Sequence, residues 1–311
     1  MAVKNIFSIY AASIDGLTIP VTQQNVSPGI QAQVLGVNGQ IDPTFVFVGA
    51  QSPSISFSTP AIKAVLDKIA TPWQSYEIVT AATFYLQKHI PFGGRSLAAD
   101  FQKFNVTDGI LVPRPLSAGN GQAASMGFDL LPVSTDGEAL PITHTTSVAN
   151  PALGVSAGDA WTAGPIKINT ASLDANNYTG VQSIEIDPGI GVEARGGDGA
   201  VFSTHVSVNA ARPTIRVTLS DAMTLSQLGL SGLAQDTFND STIFLRKIQP
   251  NGTRVPLATL EHISIAIDDG IITPDPLGGA HGTQVTSSLV ITPVFDGTTP
   301  QLMVNTATAI S

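Results

Sequence analysis

Residues 25–40, NVSPGIQAQVLGVNGQ, lie over residues 185–200, EIDPGIGVEARGGDGA, with Pro28 on Pro188 and Gly39 on Gly199, a displacement of 160 positions. The next block keeps that displacement. Residues 43–57, PTFVFVGAQSPSISF, fall on residues 203–217, STHVSVNAARPTIRV, pairing Thr44 with Thr204, Val46 with Val206, Val48 with Val208 and Pro53 with Pro213. Further on, YLQKHIPFGGR from Tyr85 matches FLRKIQPNGTR from Phe244 at a displacement of 159, and TDGILVPRPLSAGNGQ from Thr107 matches DDGIITPDPLGGAHGT from Asp268 at 161. One-residue drifts between blocks are what loop insertions produce. A register held over four blocks marks an internal repeat.

The repeat sets the expected organisation of the 311 residues. It predicts a first domain over 1–148, a Gly- and Ala-rich linker over 149–162 (ANPALGVSAGDAWT), and a homologous second domain over 163–311. Residues 8–15 find a weaker counterpart in residues 167–174, so the opening MAVKNIFSIYAAS is expected to belong to the fold rather than to a cleaved leader.

Within each copy the strand signals dominate. Thr44 to Val48 is a β-branched and aromatic run, while Pro53 to Phe57, Thr204 to Val208 and Thr214 to Leu219 approach strict alternation. Turn dipeptides punctuate the strands: Asn38-Gly39, Asp108-Gly109, Asn120-Gly121, Asp136-Gly137, Asp198-Gly199, Asn251-Gly252, Asp269-Gly270 and Asp296-Gly297. The expected class is mainly β, two tandem antiparallel sandwich or barrel domains, each with one short helix. In the first copy the helix follows Pro60 with a stripe of Ile62, Val65, Leu66 and Ile69; in the second it opens at Ser220 or Asp221 and runs to about Leu228.

Composition excludes several kinds of chemistry. There is no cysteine, which removes disulfides, zinc–thiolate sites, iron–sulfur clusters and thiol nucleophiles. A net charge of −9 argues against a protein that grips nucleic acid, although an acidic surface lets DNA pass without sticking. Charged residues make up 12% of the chain against a usual value of about 25%. So weakly charged a surface is expected to be covered by assembly. No apolar run has the length of a membrane span.

Two motif matches fail on context. Gly154-Val155-Ser156-Ala157-Gly158 fits the nucleophile elbow but falls in the expected linker. Gly189-Ile190-Gly191-Val192-Glu193-Ala194 fits a dinucleotide fingerprint, yet a Gly-rich turn follows it instead of a helix. The five histidines show no metal-ligand spacing, and His205, the counterpart of Phe45, is expected to be partly buried or at an interface. No catalytic, cofactor or metal residue is nominated, and no enzymatic activity is expected.

Charge divides unevenly between the halves. Residues 1–150 carry 7 basic and 9 acidic side chains, and residues 151–311 carry 7 basic and 14 acidic. Glu185, Asp187, Glu193 and Asp198 stand where the first copy has Asn25, Ser27, Gln33 and Asn38. Glu185 and Asp187 share one face of a strand whose other face carries Ile184 and Ile186. These four read either as a solvated face or as a surface that repels polyanions.

The pattern of strand, Asp-Gly, apolar pair, Pro-x-Pro-Leu and small-residue loop, TDGILVPRPLSAGNG from Thr107 and DDGIITPDPLGGAHG from Asp268, followed by a strand reaching Pro132 or Pro293, resembles the tail tube proteins of long-tailed bacteriophages. In particular it is similar to the subgroup with a duplicated tube domain. The resemblance implies a β-sandwich per copy, homotrimeric rings of pseudo-sixfold symmetry, and rings stacked into a hollow virion tail through which genomic DNA passes without specific binding. It also implies strand pairing between neighbours into an inner barrel. Further implied partners are a terminator and a baseplate or tip protein, with assembly in the host cytoplasm, no cofactor and no membrane insertion. On this reading Glu185, Asp187, Glu193 and Asp198 are candidates for the lumen. The loops 92–99, with Phe92 and Arg95, and 251–258, with Asn251 and Arg254, are candidates for contacts between rings. Two other readings stay open: another virion component such as a baseplate ring or capsid decoration, and a two-domain extracellular adhesin.

Overall fold

The computed structural model describes residues 6–30, 32–35, 45–69, 73, 77–89, 100–153, 159–170, 173–178, 180–220, 235–275 and 286–310. Up to residue 148 the elements are β1 (Phe7–Ile14), β2 (Leu17–Pro20), β3 (Gln23–Ser27), β4 (Ala32–Leu35), β5 (Phe45–Val48), β6 (Ser54–Thr59), α1 (Ile62–Ile69), β7 (Glu77–Val79), β8 (Ala82–Lys88), β9 (Phe101–Val106), β10 (Gly109–Gly119), β11 (Ser125–Pro132) and β12 (Ile142–Val148). After it come β13 (Ala160–Thr170), β14 (Leu173–Tyr178), β15 (Val181–Asp187), β16 (Ile190–Arg195), β17 (His205–Ala211), β18 (Thr214–Leu219), β19 (Asp236–Ile248), β20 (His262–Pro274), β21 (Ser287–Pro293) and β22 (Met303–Thr308).

The chain is mainly β, with one short helix among the described residues. A five-stranded sheet runs β12-β9-β8-β1-β2, and a thirteen-stranded sheet runs β14-β13-β19-β20-β21-β18-β15-β10-β11-β6-β3, with β22 joined to β20 and β7 to β10. The hairpins β4–β5 and β16–β17 stand apart as two-stranded ribbons. All pairings between these strands are antiparallel. Neither large sheet closes on itself, so the barrel alternative is corrected to open sheets, with β3 and β14 at the two ends of the larger one.

The helix forms where its stripe predicts. Ile62, Val65, Leu66 and Ile69 are all buried, the Thr59 hydroxyl accepts the Ala61 N–H at 3.0 Å, and Lys63 pairs with Asp67 one turn on. Phe57 of β6 joins the two sheets. Its ring stacks on Phe128 of β11 and meets Phe84 of the five-stranded sheet edge-on, both at 5.3 Å between centroids. Most of the buried apolar side chains form one cluster running from Ala12 to Leu302, through both halves of the chain.

Strand pairs recur at the displacement seen in the sequence. Val26 faces Ile55 as Ile186 faces Ile215; Phe57 faces Phe128 as Val217 faces Leu289; Val34 faces Val46 as Ala194 faces Val206. Gly109 faces Pro132 as Gly270 faces Pro293. The continuity of the strands differs. Between β7 and β8 the chain breaks, and Asp15 Oδ1 accepts the N–H of Thr80 and of Ala81. The matching stretch of β19 runs through, with Asp240 at a φ of 59°.

Several local expectations need correction. Asp108-Gly109 and Asp269-Gly270 are not hairpin turns: Gly109 opens β10 and Asp269-Gly270 lies inside β20. Glycine sits there because a Cβ on Gly270 would stand 2.6 Å from the Thr292 carbonyl oxygen and 2.7 Å from the Phe238 ring. By contrast Asp198 and Gly199 both have positive φ at the tip of β16–β17. His205 is exposed on β17 of a two-stranded ribbon, so it is not partly buried within the chain. β13 begins at Ala160, inside the expected linker, and its Trp161 is buried. Asn38-Gly39, the Gly154–Gly158 motif and the second helix beyond Ser220 lie outside the described residues.

A candidate assembly seam and conduit face

Pro113 and Pro115 lack the N–H that a ladder needs, and the register of β10 against β11 shifts between Pro113 and Leu116. Beyond that shift β10 pairs with β15 instead of β7. Leu116, Ser117, Ala118 and Gly119 face Ile186, Glu185, Ile184 and Ser183 of β15, so the two halves share one sheet. Leu116 is wholly buried and Ala118 nearly so, while Ser117 points out. The loop beyond continues the seam: Asn120 N–H donates to Gln182 O at 2.7 Å, Ala124 N–H to Trp161 O at 2.7 Å, and Arg254 to Asn120 Oδ1 at 3.0 Å.

A second contact joins the halves at the base of the β16–β17 ribbon. Gly137 O accepts the N–H of Val201 and of Phe202, Ser134 N–H donates to Ser203 O at 2.8 Å, and Ser203 N–H donates to Gln51 O at 3.1 Å. The hydroxyls of Ser52 and Ser203 lie 2.8 Å apart.

Over strands β3, β6, β11, β10, β15, β18 and β21, the face of the shared sheet turned away from the core is polar and nearly free of cations, whereas β13 carries Lys167 on the side opposite the buried Ile166 and Ile168. In register across the strands it presents Asn25, Ser56 and Asp129, and then Ser125, Ser117, Glu185, Arg216 and Val290. Strands β3, β6, β10, β11, β15, β18 and β21 contain no lysine. Their two arginines are neutralised, Arg114 by Asp129 at 2.6 Å and Arg216 by Asp275 at 3.6 Å. A groove of about 510 Å³ lies at the β3 end of this sheet, lined by Asn25, Arg114 and Asp129 together with the apolar Ile9, Phe57 and Phe128. Such a surface offers phosphates little to hold.

The four acidic candidates fare differently. Glu185 is exposed on this face beside Ser117 and Arg216. Asp187 is half-buried, and its carboxylate caps the turn by accepting the Gly189 N–H at 2.9 Å. Glu193 is on the ribbon, bound to Arg195 at 2.6 Å, which holds its carboxyl below the usual range. Asp198 is at the ribbon tip. The structure thus brings Glu185 and Asp187 together and puts the other two on a different element. Of the loop candidates, Asn251 sits in an exposed turn, its Oδ1 accepting the Thr253 N–H, and Arg254 is part of the seam between halves. Phe92 and Arg95 lie outside the described residues. Sequence reading passed over the pairing of Glu193 with Arg195, although a two-residue spacing on a strand places both on one face.

Among the described residues no three His, Asp or Glu side chains gather as a metal site, and no helix is long and apolar enough to cross a membrane. Gly189 to Ala194 enters strand β16 rather than a helix N-terminus, so the fingerprint has no anion cradle. No protein-family model matches the sequence, and no curated protein matches it.

Proposed function

We propose that the chain is a structural subunit of a hollow tail-tube conduit, carrying two copies of one domain as neighbours in a ring. The observation that carries this is the β10–β15 seam. It covers the edge of β15, while β3, which holds the same place against β6 that β15 holds against β18, has no second strand among the described residues. The recurrence of strand pairs at one displacement supports reading the halves as copies.

A seam that joins unlike surfaces head to tail repeats until it closes a ring or runs on as a filament. Each chain contains one such seam internally and offers an open edge for the next, so three chains supply the six seats that the tail-tube resemblance implies. An unpaired edge is a hazard to a solitary molecule and an asset to an assembling one. The part of the sheet from β3 to β21, polar and without lysine, suits a wall past which DNA must slide, because bound phosphates would stall it. Glu185 adds repulsion at that face.

The test is electron microscopy of the purified protein in negative stain, over a rising series of concentrations. Uniform hollow filaments are expected. Isolated closed rings would move the assignment to a baseplate component, and a monomer that stays single at the highest concentration would overturn it.

A further inference from the structure

The seam reading makes a demand on the other end of the molecule. In the first half, Asp136 Oδ1 accepts the N–H of Glu138 and of Ala139; in the second, Asp296 Oδ1 accepts the N–H of Thr298 and of Thr299. The strands enter these turns alike, since Val133 N–H donates to Asp108 O at 3.1 Å and Val294 N–H to Asp269 O at 3.0 Å. The turns are therefore capped the same way, with one residue fewer between Val294 and Asp296 than between Val133 and Asp136. Their surroundings differ. Ser134 is 2% exposed under Ser203, and a Cβ on Gly137 would stand 2.5 Å from Ala200. In the second half Val294, the counterpart of Val133, is 45% exposed, Phe295, which stands in place of Ser134 and Thr135, is 58% exposed, and a Cβ on Gly297 would meet nothing within 4 Å.

We propose that Val294, Phe295 and the Asp296-Gly297 turn form the docking seat for the first half of a second copy of this chain. The partner is named by continuity: the same turn, 160 residues earlier, already receives Val201 to Ser203 of the following half. By the sequence displacement the incoming segment is residues 41–43, which lie outside the described residues. An exposed Phe beside an exposed Val is an apolar contact awaiting burial. The inference rests on the reading of the halves as copies and assigns the seam's second contact to particular side chains.

The absence of cysteine makes the test direct, because Phe295→Cys introduces the only thiol. Its reaction with a maleimide should be at least about tenfold slower in the assembled protein than in the unassembled chain. Phe295→Asp should raise the concentration needed for assembly by at least about tenfold, from the burial free energy of a large apolar side chain. Its urea midpoint should stay that of the parent, since the side chain is exposed in the single chain. Filaments of the Phe295→Cys variant whose thiol remains fully reactive, together with assembly that Phe295→Asp leaves unaffected, would overturn the seat and spare the conduit. Protection that appears only with a different protein would overturn the choice of a second copy. A parent chain that never assembles would remove both readings.

Discussion

Replacing Gly137 and, separately, Gly297 by alanine isolates the docking of one half on the other. Both residues have positive φ, 79° and 95°, so each alanine carries a similar backbone penalty of about 1–2 kcal/mol. Only Gly137 faces a wall: its new Cβ would stand 2.5 Å from Ala200 Cβ and 3.3 Å from Thr204 Cγ2. Relief requires the turn and the base of the β16–β17 ribbon to part, loosening the bonds from Val201 N–H and Phe202 N–H to Gly137 O. Overpacking of this kind adds about 1–3 kcal/mol. Equilibrium unfolding in urea, at protein concentrations below assembly, should therefore rank Gly137→Ala below Gly297→Ala by that margin. Equal losses in the two variants would mean that the first turn is as open in solution as the second, and the second seam contact would have to be given up.

His262 is wholly buried with Nδ1 accepting the Lys247 N–H at 3.1 Å and Nε2 donating to Pro256 O at 2.9 Å; Pro256 O also accepts from Thr259, so His262→Leu should cost about 1–3 kcal/mol in urea unfolding through the loss of the partner of the Lys247 N–H. Backbone N–H donors, from Thr299 and Thr298 at Asp296 and from Ala139 and Glu138 at Asp136, hold both carboxyls below their ordinary values. Their contribution is thus complete above the ordinary carboxylate range and fades as pH falls through the lowered folded values. The gap in urea midpoint between the parent and Asp296→Ala should narrow in acid, and a constant gap would refute the capping role. On the proposed conduit face, Glu185→Lys should make assembled filaments retain duplex DNA at low salt and release it at high salt, whereas parent filaments retain none in a filter assay. Retention by the parent would sink the account of the lumen.

The architecture was legible in the sequence where local rules decide it. Alternation in residues 54–58 and 214–218 reports strands with one buried face, and the core holds Ile55, Phe57, Ile215 and Val217 as that pattern requires. The spacing of Ile62, Val65, Leu66 and Ile69 likewise settles the helix. The shared sheet was not legible. Residues 117–121, SAGNG, read as a small-residue loop, and the strand character of residues 117–119 comes with β15, whose residues 183–186 lie more than sixty positions away. Strand pairing is a non-local choice that composition does not carry. The Asp-Gly dipeptides misled for a related reason, since glycine serves close approach as well as positive φ, and only the neighbours at Phe238 and Thr292 tell which. The exposed Val294 and Phe295 left a signal in the sequence: an aromatic before Asp296-Gly297 where the first half has Ser134 and Thr135 before Asp136-Gly137.

The unequal chemistry of Asn25 and Glu185, neutral on one strand and anionic on its counterpart, has a consequence for any annular arrangement of this chain. A ring of identical single domains repeats each ionised group at every position. A tandem chain can instead alternate them, giving a corrugated field whose period is twice the domain width. Translocating cargo would then meet repulsive and indifferent sectors in turn, a pattern that mutation can tune on one strand without disturbing its twin.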